Sequence, residues 1–470
     1  MIAALAAQVL DDPSSAEALS ALVALAKKKA EREEIERAFS DRAPLYAALI
    51  SPEPKARKNA ARLIGALESP RDSAALAGAL AAETTLFVVP SLLLALGSCG
   101  GADAVRALED YAPPAPANET QEKHCGEIAL AHQKAANALR PRAFVMPDKP
   151  DKARAVLLVP PAGFDAVLAD ELTALGYHPR PAEGGVLVET DDPAALYRAR
   201  CFFELLYPLA QNAAAAPEAI AEAAGRELTM PYRVELRGCA GDRAAFIRQL
   251  VRSLGGDNDA SHYALELRVA VRRDRADVFV KPCYLPDERF AYRVHALPAS
   301  MHPATAAALV RYAAPYLTRG NPAVLDPFCG SGTLLFERER FSPCRALLGV
   351  DIAEAAVRAA RENAAAGKSR AAFVHKDILK FAAREPFDEL FANLPFGNRV
   401  GTHRENERLY RAFVPLLPRL LAPGGVAVLY TMEYRLLSAC LDREPALALA
   451  DRRRTEAGGL LPWVFVLKKK

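Results

Sequence analysis

Apolar residues recur along this chain with three different rhythms. Up to about residue 148 they are mostly Ala and Leu at helical spacing, and Leu19, Leu22, Val23 and Leu25 mark one helix. Two later segments look alike, Leu63-Ile64-Gly65-Ala66-Leu67 and Leu94-Ala95-Leu96-Gly97-Ser98. Gly65 and Gly97 stand 32 residues apart, and Leu76 and Leu108 follow them at one common distance. Pro52 and Pro54 precede a helix as first-turn prolines do. Pro113, Pro114 and Pro116 predict a turn before one more helix, and Pro141, Pro147 and Pro150 predict a linker.

From about residue 149 strand and helix patterns alternate. Val156–Val159 reads as a strand, Phe164–Leu175 as an amphipathic helix stopped by Gly176, and Gly184–Glu189 as a second strand. Asp192-Pro193 predicts a helix start, with a capping Asp and a proline at the first position. Phe203–Pro208, Tyr232–Arg237, Leu265–Val271 and Asp277–Lys281 read as strands, and Arg243–Leu254 as a helix. The β-α-β-α-β order at the start of this region predicts a ferredoxin-like unit. From about 291 the alternation continues: a helix from Thr305 to about Ala314, four short apolar runs, and a helix over 409–421. The turn Pro423-Gly424-Gly425, strand Val426–Tyr430, a short strand Ala446–Ala450, the turn Gly458-Gly459 and strand Trp463–Leu467 complete it. Strands alternating with helices predict an α/β domain.

The four apolar runs carry the candidate chemistry. Ala323-Val324-Leu325 ends in Asp326-Pro327-Phe328-Cys329-Gly330-Ser331-Gly332, and Thr333 opens a helix. Gly330 and Gly332 let the backbone bend sharply and lie close to a ligand, which would sit at the carboxyl end of a strand. The first dinucleotide-type glycine is absent and no Gly-Lys-Ser/Thr follows, so neither a dinucleotide fingerprint nor a P-loop fits. Leu347–Val350 ends in Asp351-Ile352, 21 residues past Gly330, the distance at which an acid reaches a ribose diol in a nucleoside-binding βαβ unit. Ala371–Val374 leads to Lys376-Asp377-Ile378, and Glu389–Ala392 leads to Asn393-Leu394-Pro395-Phe396-Gly397. One polar residue at a strand end is an ordinary cap or turn residue; four in succession at βαβ spacing point to a site.

Composition narrows the partners. The 470 residues are 51% hydrophobic and 25% charged with a net charge of +3, so nucleic acid would have to meet a local basic patch. Candidate patches are Lys27, Lys28, Lys29 and Arg32; Lys55, Arg57, Lys58 and Arg62; and Arg268, Arg272, Arg273, Arg275 and Lys281 beside Asp274 and Asp277. A fourth runs from Asn398 through Arg399, His403, Arg404 and Arg408 to Tyr410. The eight cysteines are scattered without a Cys-x-x-Cys, and His124-Cys125 with His132 lacks a second thiolate pair, so no metal is expected. Scattered cysteines suit a reducing cytoplasm, and neither a signal peptide nor a membrane span is expected.

Asp-Pro-Phe-Cys-Gly-Ser-Gly-Thr, Gly-Val-Asp, Lys-Asp-Ile and Asn-Leu-Pro-Phe-Gly together resemble S-adenosylmethionine-dependent methyltransferases that act on amines. More closely, they resemble the THUMP-domain RNA guanine-N2 methyltransferases, which include tRNA enzymes. Gly163-Phe164, Glu171-Leu172, Leu175-Gly176 and Gly184-Gly185-Val186 are similar to the ferredoxin-like and THUMP region of that family, and the Gly65/Gly97 period resembles HEAT-type helical repeats. The expected fold is multidomain, α and α/β: helical repeats over 1–148, a ferredoxin-like/THUMP-like RNA-binding region over 149–290, and a Rossmann-like methyltransferase over 291–470.

The resemblance implies methyl transfer from S-adenosylmethionine to the exocyclic N2 amine of a guanine, with tRNA expected ahead of rRNA. Asn393, Leu394, Pro395 and Phe396 are the implied catalytic residues. Asp326, Phe328, Cys329, Gly330, Gly332, Thr333, Asp351, Ile352, Asp377, Ile378 and Asn393 would hold the cofactor. Phe396, Arg399, Arg404, Arg408, Arg272 and Arg273 would contact RNA, and the N-terminal repeats RNA or a protein. His302, Pro303 and Thr305 flank the cofactor in related enzymes, although the family more often has Arg at the position of His302. Two alternatives stay open: an adenine-N6 methyltransferase on RNA or DNA, and an RNA-binding protein with a decayed catalytic domain. Phe396 and Leu394, where adenine enzymes carry Tyr and Pro, favour guanine; the intact Asp326, Gly330, Gly332, Asp351, Asp377 and Asn393 oppose decay.

Overall fold

The computed structural model describes residues 2–116, 118–139, 152–238, 241–297, 300–396 and 403–470. The expected proline linker therefore lies outside the described residues, as do Gly397 and Arg399. The chain divides into two compact units: residues 1–145 with 225–235 and 247–266, and residues 146–224 with 236–246 and 267–470.

In the first unit the described N-terminal residues form helices, among them Ala16–Leu25, Pro54–Leu67, Val89–Cys99, Ala102–Asp110 and Glu119–Leu139. Pro54 occupies the first helical position, where its missing N–H costs nothing. The two spaced glycines sit where helices touch. A Cβ on Gly65 would come within 2.9 Å of the Ala95 Cα, and one on Gly97 within 2.7 Å of the Ala135 Cα. Leu19, Leu22, Leu63, Ile64, Leu76, Leu93 and Leu96 fill the core between them.

The second unit holds most of two sheets. The first contains β1 (Arg154–Val159), β2 (Arg180–Ala182), β3 (Gly185–Thr190), β4 (Glu204–Ala214), β5 (Tyr232–Arg237), β6 (Leu265–Arg272) and β7 (Arg275–Pro282), in the order β2-β3-β1-β4-β7-β6-β5. Asp192-Pro193 opens a 3₁₀ turn, Pro193–Arg198, rather than an α-helix, with the Asp192 carboxylate accepting from the Ala195 amide at 3.2 Å.

The second sheet contains β8 (Ala323–Asp326), β9 (Ala346–Asp351), β10 (Ala372–His375), β11 (Phe387–Asn393), β12 (Leu421–Thr431), β13 (Leu447–Arg454) and β14 (Trp463–Lys469), in the order β10-β9-β8-β11-β12-β14-β13. Strands β8 to β12 pair in parallel, while β14 runs antiparallel to both β12 and β13. The chain steps outward from β8 to β9 and β10, then returns to the far side of β8 with β11. That reversal opens a crevice at the carboxyl ends of β8 and β11, where open α/β sheets bind ligands. The expected helix over 409–421 is instead His403–Phe413, a 3₁₀ turn and a short helix Leu417–Leu420, and Leu421 already begins β12.

Beneath the crevice a fully buried pair fixes the first helix of the glycine turn to β11. Arg338 on helix Thr333–Phe341 donates to Glu389 at 2.7 and 3.1 Å. One residue earlier, Glu337 accepts from Arg200 at 2.7 and 2.9 Å and from the Tyr292 hydroxyl at 2.6 Å. No described helix is long and apolar enough to cross a membrane.

Candidate active site

The turn after β8 is held by the carboxyl end of β9. The Cys329 amide donates to the Val350 carbonyl at 3.1 Å, and the Gly330 amide to Asp351 Oδ2 at 2.8 Å. The other Asp351 oxygen accepts from the Ala353 amide at 2.9 Å, which leaves each oxygen a further lone pair. Gly332 has φ +86° and caps helix Thr333–Phe341, and a Cβ there would lie 2.7 Å from the Phe336 ring. A Cβ on Gly330, with φ +50°, would meet only open space. Ile352 exposes 70% of its surface at the end of β9, an apolar face beside the Asp351 carboxylate. Asp377 caps the turn Ile378–Lys380 by accepting from the Leu379 amide at 2.9 Å, and Ile378 is buried in the core.

Asp326 is buried at the end of β8. Burial pushes its carboxyl up to about 8; the Phe328 amide donating at 3.1 Å pulls it down, and the Asp351 charge pushes it up. Burial likewise pushes the Cys329 thiol up, which makes it a packing residue rather than a nucleophile. Two buried oxygens in this crevice, Thr333 Oγ1 and Asn393 Oδ1, accept and donate nothing among the described residues. An unpaired buried acceptor costs about 1–3 kcal/mol, a cost that a bound water or ligand group offsets.

Asn393 ends β11, in register with Tyr430 of β12. The Leu394 amide donates to the Tyr430 carbonyl at 2.9 Å, and the Phe396 and Tyr430 rings lie 5.9 Å apart. The Pro395 carbonyl accepts two donors from helix His403–Phe413: Asn406 Nδ2 at 2.9 Å and the Tyr410 hydroxyl at 3.0 Å. Tyr410 also lies 2.7 Å from Thr431 Oγ1, which accepts from the Glu433 amide at 2.9 Å. Tyr410 is therefore not part of a polar surface stretch, as expected from the sequence, but a buried strut under the loop. Asn406 was missed altogether. The spacing Asn406, Tyr410, Phe413 is the face of an amphipathic helix and could have disclosed both.

The other expected contacts divide. Arg404 and Arg408 are exposed on helix His403–Phe413. Arg272 pairs with Glu183 and Asp277, and Arg268 and Lys281 converge on Glu204. Arg273 sits at φ +58° in the turn between β6 and β7. Arg268, Arg272 and Lys281 thus each have a carboxylate partner. His302 is a helix cap: its Nδ1 accepts from the Ala304 amide at 3.1 Å, and its ring sits edge-on to Phe203 and Phe290. Pro303 is the first helical residue and Thr305 is buried in the first turn.

This geometry has relatives. The family model described as "RMKL-like, methyltransferase domain" matches residues 291–462. The chain carries an RMKL-like methyltransferase domain. The model described as "RlmL ferredoxin-like domain" matches residues 157–202, so the methyltransferase domain is preceded by a ferredoxin-like one. A tRNA (guanine(6)-N2)-methyltransferase of Thermus thermophilus is 35% identical over 223 residues, 47% of this chain and 65% of that protein. A tRNA (guanine(10)-N2)-dimethyltransferase of Methanothermobacter thermautotrophicus is 29% identical over 147 residues, 31% of this chain and 42% of that protein. The chain thus spans less than two thirds of the length of these curated relatives. The crystal structure of TrmN from Thermus thermophilus superposes with a TM-score of 0.53 at 28% identity, covering 67% of this chain and 99% of that one. A putative methyltransferase solved with SAH shares the fold at 14% identity and a TM-score of 0.54.

Proposed function

We propose that this protein is an S-adenosylmethionine-dependent RNA methyltransferase acting on the N2 amine of a guanine in tRNA. The observation that carries the reading is the orphaned Asn393 Oδ1, held at the crevice by a loop whose Pro395 carbonyl has two buried donors.

When bound, S-adenosylmethionine supplies an electrophilic methyl group. The residues at the crevice suit it: the Gly330–Gly332 backbone and Asp326 for the methionine part, with Phe328, Cys329 and Thr333 lining the turn. Asp351 suits the ribose hydroxyls, Ile352 the adenine face and Asp377 the adenine amine.

The exocyclic amine of guanine has its lone pair delocalised into the ring. Asn393 Oδ1 and the Leu394 carbonyl accept its two hydrogens, which draws the lone pair out of conjugation and aims it. Positioning and electrostatics are the terms this site supplies. Phe396 stacks on the base, a contact worth about 1–3 kcal/mol. A base within a duplex must leave its stack to reach this pocket. The amine, once methylated, loses a proton to solvent.

The same reading assigns residues 1–148 to a HEAT-like array that contacts RNA or a protein, 149–290 to a ferredoxin-like/THUMP-like module that grips RNA, and 291–470 to the methyltransferase. An enzyme of this kind works in the cytoplasm, where tRNA is.

The test is nucleoside analysis of tRNA from cells lacking the protein, complemented with the wild type or with Asn393→Ala. N2-methylguanosine at one position should be absent without the protein, return with the wild type and stay absent with Asn393→Ala. Identical nucleosides in all three strains would reject the assignment.

A further inference from the structure

The antiparallel end of the methyltransferase sheet carries charge and aromatic area that the chemistry above does not use. Register sets Asn393 beside Tyr430, Tyr430 beside Val464 and Val464 beside Arg453. One residue further, Thr431, Trp463 and Arg454 stand abreast. Strands lie about 4.8 Å apart, so this row ends about 14 Å from Asn393 along the same rim.

Trp463 is the only tryptophan of the chain. Its half-buried ring stacks on Tyr434, with centroids 5.2 Å apart and planes 26° apart. The Arg452 guanidinium lies 5.8 Å from the Trp463 centroid. Arg435 lies 5.6 Å from the Tyr434 centroid and its Nε donates to the Tyr434 hydroxyl at 2.9 Å.

Arg435, Arg452 and Arg454 are all exposed, and among the described residues none of the three pairs with a carboxylate. Alternation along β13 puts Arg453 on the other face, where it donates to the Gly163 carbonyl at 3.0 Å and covers Tyr312. Asp451, the nearest acid in the strand, accepts from the Tyr316 hydroxyl at 3.2 Å. The contrast is with Arg268 and Arg272, whose charges are met by carboxylates.

We propose that this rim is a platform for single-stranded RNA: Arg435, Arg452 and Arg454 hold phosphates next to the target nucleotide, and the Tyr434–Trp463 pair stacks a neighbouring base. The proposal rests on the RNA-methyltransferase reading and names a surface of the same site. Uncompensated guanidiniums match phosphate oxygens bidentately. Aromatic faces stack any base, so together they bind a strand without reading its sequence. An acidic peptide would match the charges but has no use for the stacked rings.

The test uses the whole chain and unmodified tRNA. Trp463 emission should quench on tRNA addition, because the lone tryptophan is the reporter. The triple variant Arg435→Glu, Arg452→Glu, Arg454→Glu should bind tRNA at least about tenfold more weakly, with a salt dependence shallower by about two ions (about 0.7 per lost contact). Its affinity for S-adenosylmethionine should match the wild type, which shows that the variant is folded. Trp463→Ala should weaken tRNA binding more than Trp463→Phe.

If a wild type that methylates tRNA shows no change in emission and the triple variant binds as tightly, the platform is wrong while the enzymatic reading stands. If the wild type neither binds nor methylates RNA, both fall together. If polyglutamate competes for the wild-type surface as well as tRNA does, the surface is an acidic-protein site instead.

Discussion

Tyr410→Phe removes one oxygen from beneath the Asn393–Phe396 loop. A tyrosine has one hydroxyl hydrogen, so if it goes to the Pro395 carbonyl at 3.0 Å, Thr431 donates to Tyr410 across 2.7 Å. Burial pushes the Tyr410 hydroxyl well above its ordinary value, so it remains a donor at any assay pH. The substitution deletes both bonds and leaves the buried Thr431 hydroxyl without its acceptor. At about 0.5–1.5 kcal/mol for each bond, the stability loss is about 1–3 kcal/mol. Asn406 still holds the Pro395 carbonyl at 2.9 Å, so the loop stays but is fixed by one donor instead of two. A positioning loss of about 1.4 kcal/mol in the transition state is tenfold in rate. The expected outcome is a kcat on tRNA lowered about tenfold, with S-adenosylmethionine affinity by calorimetry unchanged. Asn406→Ala should act in the same direction, and the double variant should depart from additivity by at least about 0.5 kcal/mol, because both donors serve one carbonyl. If the melting temperature falls as calculated while kcat stays at the wild-type value, the clamp supports the fold alone and the positioning argument is refuted.

Asp326 gives a pH prediction. Its folded carboxyl keeps its proton up to about pH 8, whereas an unfolded one loses it near about pH 4, so the folded chain binds more protons between the two. Stability should therefore fall as pH rises through that window, and denaturation of Asp326→Asn should lack that slope. Glu389→Gln strands the fully buried Arg338 guanidinium and should cost about 3–5 kcal/mol in urea unfolding, far more than replacing the pair together by Met and Leu. Gly97→Val forces a side chain against the Ala135 backbone and should lower stability by about 1–3 kcal/mol, while Gly78→Val, whose Cβ direction is open, should not show this clash.

The methyltransferase strands were readable because each is a short apolar run stopped by a polar residue. Asp326, Asp351 and Asn393 end their strands, and Asp377 follows the end of β10 by two residues. The ferredoxin-like region was readable for the same reason, except β2. Arg180-Pro181-Ala182 has no apolar alternation and is a strand because β3 lies beside it. The helix at His403 was placed six residues late, since His403, Arg404, Glu405 and Glu407 look like loop, and only the loop above them gives Asn406 a reason to be buried. The fate of the basic clusters was not legible. Arg268 meets Glu204 and Arg272 meets Glu183 across 64 and 89 residues of sequence, separations at which no local pattern reports a neighbour.

The proposed reaction is methyl transfer to a guanine N2 amine by a site built on Asn393. The most direct measurement is transfer of labelled methyl from S-adenosylmethionine to unmodified tRNA, rRNA fragments and DNA by the purified chain, followed by nucleoside identification. N2-methylguanosine in tRNA, absent with Asn393→Ala, is the predicted result. N6-methyladenine as the product, or N2-methylguanosine formed equally well by Asn393→Ala, would contradict it.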